Sequence, residues 1–272
     1  MQIDKAIFPV FRPWGSAGRQ DSDHWLHIVK TPKRVRVIFG GETIADSRRV
    51  LLLREGGCLP IYYFPKKDVR PDFLISTDFT TSCPYKGLAS YWSVKVEDKV
   101  AENAAWSYLN APAECDAIKD CFSFEWAKMD RWYEEEEEVF VHARDPYKRI
   151  DALQSSRRLR VEIAGETIAE TDRPLLVIEP GHPLRYYLPR KDVRMNLLER
   201  SSTRSRCPYK GIAAYWSARL RGKLFTDICW SYVEPTVEFP QIKDLLCFFQ
   251  ERETTLHVDG ERVAAPKTKW AR

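Results

Sequence analysis

The chain has 272 residues, 44% hydrophobic and 30% charged, with 43 Lys and Arg against 39 Asp and Glu for a net charge of +4. Enough apolar material for two modest cores argues against disorder, and so small an excess of positive charge offers no broad basic field to nucleic acid. Met1-Gln2-Ile3-Asp4-Lys5 has no basic stretch ahead of an apolar one, and no apolar run approaches the roughly 18 residues of a membrane span, so the expectation is no membrane contact and a cytoplasmic location.

Residues 1–30 carry Pro9, Pro13, Gly15, Gly18, His24 and His27 without periodicity, and are assigned to an N-terminal arm. From Arg34 the pattern turns to period two: Val35, Val37 and Phe39 alternate with Arg34, Arg36 and Ile38, as in a strand with one buried face. Gly40-Gly41-Glu42 then predicts a hairpin turn, and Val50-Leu51-Leu52-Leu53 and Ile61-Tyr62-Tyr63-Phe64 predict buried strands around Gly56-Gly57. Asp68 is placed to cap a short helix. Cys83-Pro84-Tyr85-Lys86-Gly87 reads as a loop feeding the aromatic strand Leu88-Ala89-Ser90-Tyr91-Trp92-Ser93, with Trp92 turned to the core and Tyr91 and Ser93 on the more polar face.

The same pentapeptide returns as Cys207-Pro208-Tyr209-Lys210-Gly211, 124 positions on. That offset also relates Glu42 to Glu166, Asp68 to Asp192, Trp106 to Trp230 and Asp120 to Asp244, and no gap is needed from Arg34/Arg158 to Phe124/Phe248. Each unit is too long for a solenoid repeat and should own a core. The reading is mostly β: two homologous small antiparallel β domains in tandem, facing each other about a pseudo-twofold axis as an intramolecular dimer. Boundaries fall at 1–30 for the arm, 31–133 for the first repeat, 134–156 for a connector with the acidic run Glu134 to Glu138, 157–265 for the second repeat and 266–272 for a frayed tail.

The stretches Arg-Val-Arg-Val to Gly-Glu-Thr-Ile-Ala, Tyr-Tyr-Phe-Pro-x-Lys-Asp-Val, Cys-Pro-Tyr-Lys-Gly, Tyr-Trp-Ser and Trp-Ser-Tyr resemble family 427 of the domains of unknown function. His142-Ala143-Arg144-Asp145-Pro146-Tyr147 looks like the junction of its tandem members. The resemblance implies a small, mostly β domain similar to the bent-sheet β-tent folds, and carries a nucleotidyltransferase-like label. Many β-tent domains hold zinc on paired cysteine knuckles, and this sequence departs from that pattern.

Of seven cysteines, only Cys83 and Cys207 match between the copies and none forms a Cys-x-x-Cys pair, so neither a shared disulfide framework nor a zinc site is indicated. No metal or nucleotide cofactor motif is present. Each paired thiol precedes a lysine by three residues, Lys86 or Lys210, and a nearby ammonium favours the thiolate a nucleophile needs; the plainer reading is a small buried residue at a tight turn. Tyr85 and Tyr209 stand beside those lysines, and phenol plus ammonium suits a phosphate or carboxylate. Tyr91, Ser93, Ser107 and their copies Tyr215, Ser217 and Ser231 would form the rim. Arg70 and Arg194 could clamp an anion or pair with the acids kept in both copies, Glu42/Glu166, Glu55/Glu179 and Asp68/Asp192, whose plainer roles are turn, surface and cap. Two functions stay open: binding, with or without transformation, of a small anionic or nucleotide-like molecule at the pentapeptide loop, and a non-catalytic module that binds a ligand or protein and uses these residues structurally.

Overall fold

Strand formation follows the alternation closely in the computed structural model, which describes residues 24–268, 270 and 271. The first repeat runs through β1 (Leu26–Lys30), β2 (Val35–Phe39), β3 (Glu42–Ser47), β4 (Leu51–Glu55), β5 (Ile61–Pro65), β6 (Leu74–Cys83), β7 (Gly87–Val96), β8 (Lys99–Ser107), β9 (Cys121–Phe124), β10 (Arg131–Glu134) and β11 (Glu137–Val139). The second runs through β12 (Asp151–Gln154), β13 (Leu159–Ile163), β14 (Glu166–Thr171), β15 (Leu175–Ile178), β16 (Arg185–Leu188), β17 (Leu198–Cys207), β18 (Gly211–Leu220), β19 (Lys223–Pro235), β20 (Leu246–Phe248), β21 (Thr254–Val258) and β22 (Glu261–Arg262). Each repeat builds a seven-stranded and a four-stranded sheet. The orders are β1-β4-β5-β9-β8-β7-β6 with β11-β10-β2-β3, then β12-β15-β16-β20-β19-β18-β17 with β14-β13-β21-β22. Neighbouring strands are antiparallel throughout, and among the described residues no sheet closes into a barrel.

The two sheets of a repeat enclose its main core. Val35 and Val37 of β2 meet Leu52, Tyr62, Phe64, Phe124 and Trp132 in the first repeat; Leu159 and Val161 meet Leu176, Tyr186, Leu188 and Trp216 in the second. The other face of each large sheet buries a second cluster, around Leu53, Tyr63, Ala89 and Tyr108 or around Val177, Tyr187, Ala213 and Tyr232. With both faces covered, β5 reads as the unbroken run Ile61-Tyr62-Tyr63-Phe64, because alternation sends Tyr62 one way and Tyr63 the other. Trp216 is buried and Trp92 packs against the first core, as the strand pattern indicates.

Several expectations are corrected. Asp68 does not cap a helix: residues 66–68 form a single tight turn with Pro65 at its N-cap, and the Asp68 carboxylate instead accepts from Ser47 Oγ at 2.5 Å and from Arg49. Asp192 likewise accepts from Thr171 Oγ1 at 2.8 Å. Leu26–Lys30, assigned to the arm, is the edge strand paired with β4; residues 1–23 of that arm lie outside the described residues. In the tail, where fraying is expected, Trp270 packs on the second repeat's outer cluster and Thr268 Oγ1 donates to Glu251 at 2.8 Å.

The acidic run is not uniformly solvated. Glu134 is buried and accepts from Tyr62 Oη at 2.7 Å, Lys33 Nζ at 2.5 Å and Arg144 Nη2 at 3.1 Å, while Glu135 to Glu138 are exposed. Arg144 reaches on to Glu238 at 3.3 Å, and Asp145 pairs with Arg54 Nε at 2.9 Å while its backbone N–H donates to Tyr209 Oη at 2.6 Å. These contacts tie β4 and β10 of one repeat to the loop region of the other, joining unlike patches. Among the described residues no helix is long and apolar enough to cross a membrane.

Candidate functional site

Cys83 pairs with Gly87 in register, so Pro84, Tyr85 and Lys86 form a three-residue loop closing the β6–β7 hairpin; Cys207 and Gly211 do the same for β17 and β18. Gly87 and Gly211 take φ of 86° and 102°, and a Cβ on Gly211 would lie 2.1 Å from the Glu234 carbonyl oxygen, so glycine is required there. The loop sets adjacent side chains apart in exposure: Tyr85 is 37% exposed, whereas Lys86 is only 6% exposed.

Each loop ammonium, buried in the first repeat and half-buried in the second, is met by an acid at the end of a strand. Lys86 Nζ donates to Glu55, the last residue of β4, and Lys210 Nζ donates to Glu179, just beyond β15. A third group completes each cluster from the segment before the repeat. In the first, His24 stacks on Tyr85 with ring centroids 3.4 Å apart, and its Nε2 lies 3.3 Å from Glu55 Oε1. In the second, Lys148 Nζ lies 2.6 Å from Glu179 Oε1 and 4.9 Å from the Tyr209 ring centre. His24 and Lys148 stand 124 positions apart, so the duplication extends back to them. The same offset relates Cys58 to His182, whose Nδ1 is 3.5 Å from Glu179 Oε1 and whose ring stacks on Trp270 at 5.5 Å.

The electrostatics follow. Burial alone would push the Glu179 carboxyl up, but Lys210 and Lys148 outweigh it and hold the group at about 2. Burial depresses His182 and favours the neutral imidazole despite Glu179 nearby. Burial pushes the Cys58 thiol up, and Glu55 adds to that, so Cys58 is no thiolate site. The Tyr209 hydroxyl is raised to about 12, mainly by burial.

The other predicted residues are dispersed. Cys83 and Cys207 are half-buried, and they pack against the outer apolar clusters of their repeats. Tyr91 and Tyr215 bond to the edge strands, through Thr81 Oγ1 at 3.0 Å and Ser205 Oγ at 2.8 Å. Ser93 and Ser217 accept the backbone N–H of Asn103 and Asp227, residues at φ 47° and 48°, and so stitch an irregularity in the sheet instead of rimming a hollow. Ser107 and Ser231 are buried. Arg70 pairs with Asp72 and Arg194 with Glu166, both in exposed positions. Two surface clefts of about 460 and 630 Å³ lie on the first repeat's small sheet, lined by residues such as Arg34 and Arg49 or Arg36 and Tyr133, not by the pentapeptide loops. Among the described residues no group of His, Cys, Asp and Glu is placed to hold a metal ion.

Each loop lysine thus has partners to which the sequence reading gave other places or none: Glu55 and Glu179 were read as surface acids and His24 as part of the arm, while Lys148 in the connector and His182 were not singled out. The available signal was an acid kept in both copies at the end of an apolar strand, Leu51-Leu52-Leu53-Arg54-Glu55 and Leu175-Leu176-Val177-Ile178-Glu179.

Residues 27–135 and 151–264 each match the family described as a domain of unknown function (DUF427). No curated protein matches the chain.

Proposed function

The chain belongs to the DUF427 family and carries its domain twice, and from that premise we propose that the second repeat binds a small anionic molecule, bearing phosphate or carboxylate, at its Cys-Pro-Tyr-Lys-Gly loop. One observation carries the reading: Lys148 and Lys210 converge on the single carboxylate of Glu179. One ionised carboxylate neutralises one of two ammonium groups, and the remaining positive charge sits beside the half-buried Tyr209 and a neutral His182. Lys148 is 22% exposed and so within reach of solvent. An anion seated there completes the charge balance, with the ammonium groups as donors. The thiol of Cys207 packs on apolar neighbours, and no chemical step is assigned to it.

A second reading rests on the burial of Lys86 and Glu55, 8% and 7% exposed at their side chains. Here the pair pins the loop to the sheet and the module is non-catalytic. The two readings part in one experiment. Inorganic phosphate, sulfate and citrate are titrated into the full chain and into Lys148→Met while thermal unfolding is followed, since an anion bound to the native state raises its stability. The binding reading expects a rise in melting temperature for at least one anion, lost in Lys148→Met. Equal or absent rises in both proteins would leave only the pinning role.

A further inference from the structure

We infer that the first repeat holds a second anion site, which is complete only when His24 is protonated. The inference rests on the reading of the second repeat given above and extends it to its copy. The two clusters are built on one plan: Glu55 and Lys86 correspond to Glu179 and Lys210, and His24 occupies the place of Lys148. Only the third group differs in charge. With Lys148 the second cluster sets two ammonium groups against one carboxylate. With a neutral His24 the first cluster carries one of each and has no charge to offer an anion.

A histidine is the one ordinary side chain whose charge changes between about pH 5 and pH 8. Protonation of His24 would give the first cluster the same excess of one positive charge that Lys148 gives the second. The groups facing His24 are Glu55 at the end of β4, Tyr85 and Lys86 in the loop, and Cys58 in the turn after β4; burial and Glu55 keep the Cys58 thiol in its neutral form. The ring is also fixed in place: it lies within 10° of parallel to Tyr85, at a centroid distance of 3.4 Å, with Nε2 turned toward Glu55. The Nε2 atom is buried, so an anion arriving at the loop would meet the imidazolium charge at the partly exposed ring, 18% exposed at its side chain, with the Lys86 ammonium behind it. The ligand class is the same in both halves, and the difference between them is a dependence on protons.

The test is isothermal titration of the full chain with sulfate, whose own charge is constant over the range used, at about pH 8 and about pH 5.5. The wild type is expected to bind one sulfate at the higher pH and two at the lower. His24→Lys should bind two at both, and Lys148→His none at the higher pH and two at the lower, with the affinity of each switched site changing by about tenfold or more. Circular dichroism of each variant at both pH values establishes that the fold is kept. Two sulfates on the wild type at the higher pH, one at both, or no added site in a folded His24→Lys would overturn the inference while leaving the second-repeat reading intact. A single sulfate seen only at the lower pH and abolished by His24→Ala would do the reverse.

Discussion

The two loop sites share a buried glutamate paired with a loop lysine and differ in what surrounds that pair. Each keeps a glutamate at a strand end beneath a loop lysine, yet the first adds His24, Cys58 and Tyr85 where the second has Lys148, His182 and Tyr209. A buried ion pair is a weak source of net stability, because desolvating two charges offsets most of their attraction; removing one partner is expensive, because the other is stranded. Once such a pair is built it resists loss, while the groups at its margin are free to diverge. The comparison is sharpest where the margin decides how much a broken pair costs.

The largest effect expected is Lys86→Met, which leaves Glu55 buried with only the imidazole of His24 beside it and should cost about 3–5 kcal/mol in urea unfolding. Lys210→Met leaves Glu179 with Lys148 at 2.6 Å, so the charge keeps a full partner and the loss should be nearer to about 2 kcal/mol. Equal losses for the two substitutions would break the comparison, since they would mean that Lys148 contributes nothing to holding Glu179.

Acid unfolding examines the same margin. Glu179 titrates at 4.5 in its ordinary state and at about 2 in the fold. The unfolded chain therefore binds its proton first, and the contribution is fully present above 4.5 and lost as pH falls toward 2. It amounts to on the order of 3 kcal/mol. His182 has the same sign: its depressed value means that stability falls as pH drops below the ordinary 6.5. Urea unfolding midpoints measured from neutral to strongly acid pH should decline in both intervals, and Glu179→Gln should flatten the more acid one. A Glu179→Gln profile that matches the wild type in that interval would deny the two-lysine environment.

Most of the fold was legible because strands announce themselves locally. Alternation fixed β2 and β13, glycine fixed the turns, and the 124-residue offset carried each assignment to its copy. The site was half legible. Lys86 and Lys210 stood out because they repeat inside an unusual pentapeptide, but their partners lie 31 residues away along the chain, and the arrangement of strands that brings them together is set by long-range pairing, which no local pattern reports. Glu55 looked like a surface acid, since a charged residue closing an apolar run is ordinarily the point where a strand leaves the core. Lys148 was hidden differently: its copy is a histidine, so the correspondence with His24 shows only when both are seen to touch equivalent glutamates.

The smallest effect separates two residues that the sequence reading placed at equivalent rims in the two repeats. Ser107 and Ser231 are both buried, at 2% and 1% exposure, but only Ser107 has found an acceptor: its hydroxyl donates to the Cys121 carbonyl oxygen at 2.7 Å. The Ser231 hydroxyl has no hydrogen-bond partner among the described residues. Ser107→Ala removes a satisfied bond and strands a buried carbonyl, and should lower stability by about 1 kcal/mol. Ser231→Ala removes a hydroxyl that was desolvated without compensation, and should be neutral or stabilising by up to about 1 kcal/mol. Urea midpoints of the two variants should therefore move to opposite sides of the wild type or, at least, only the first should fall. A loss at Ser231 as large as that at Ser107 would show that its hydroxyl is bonded after all, and that the two repeats are more alike on this face than their hydrogen bonds indicate.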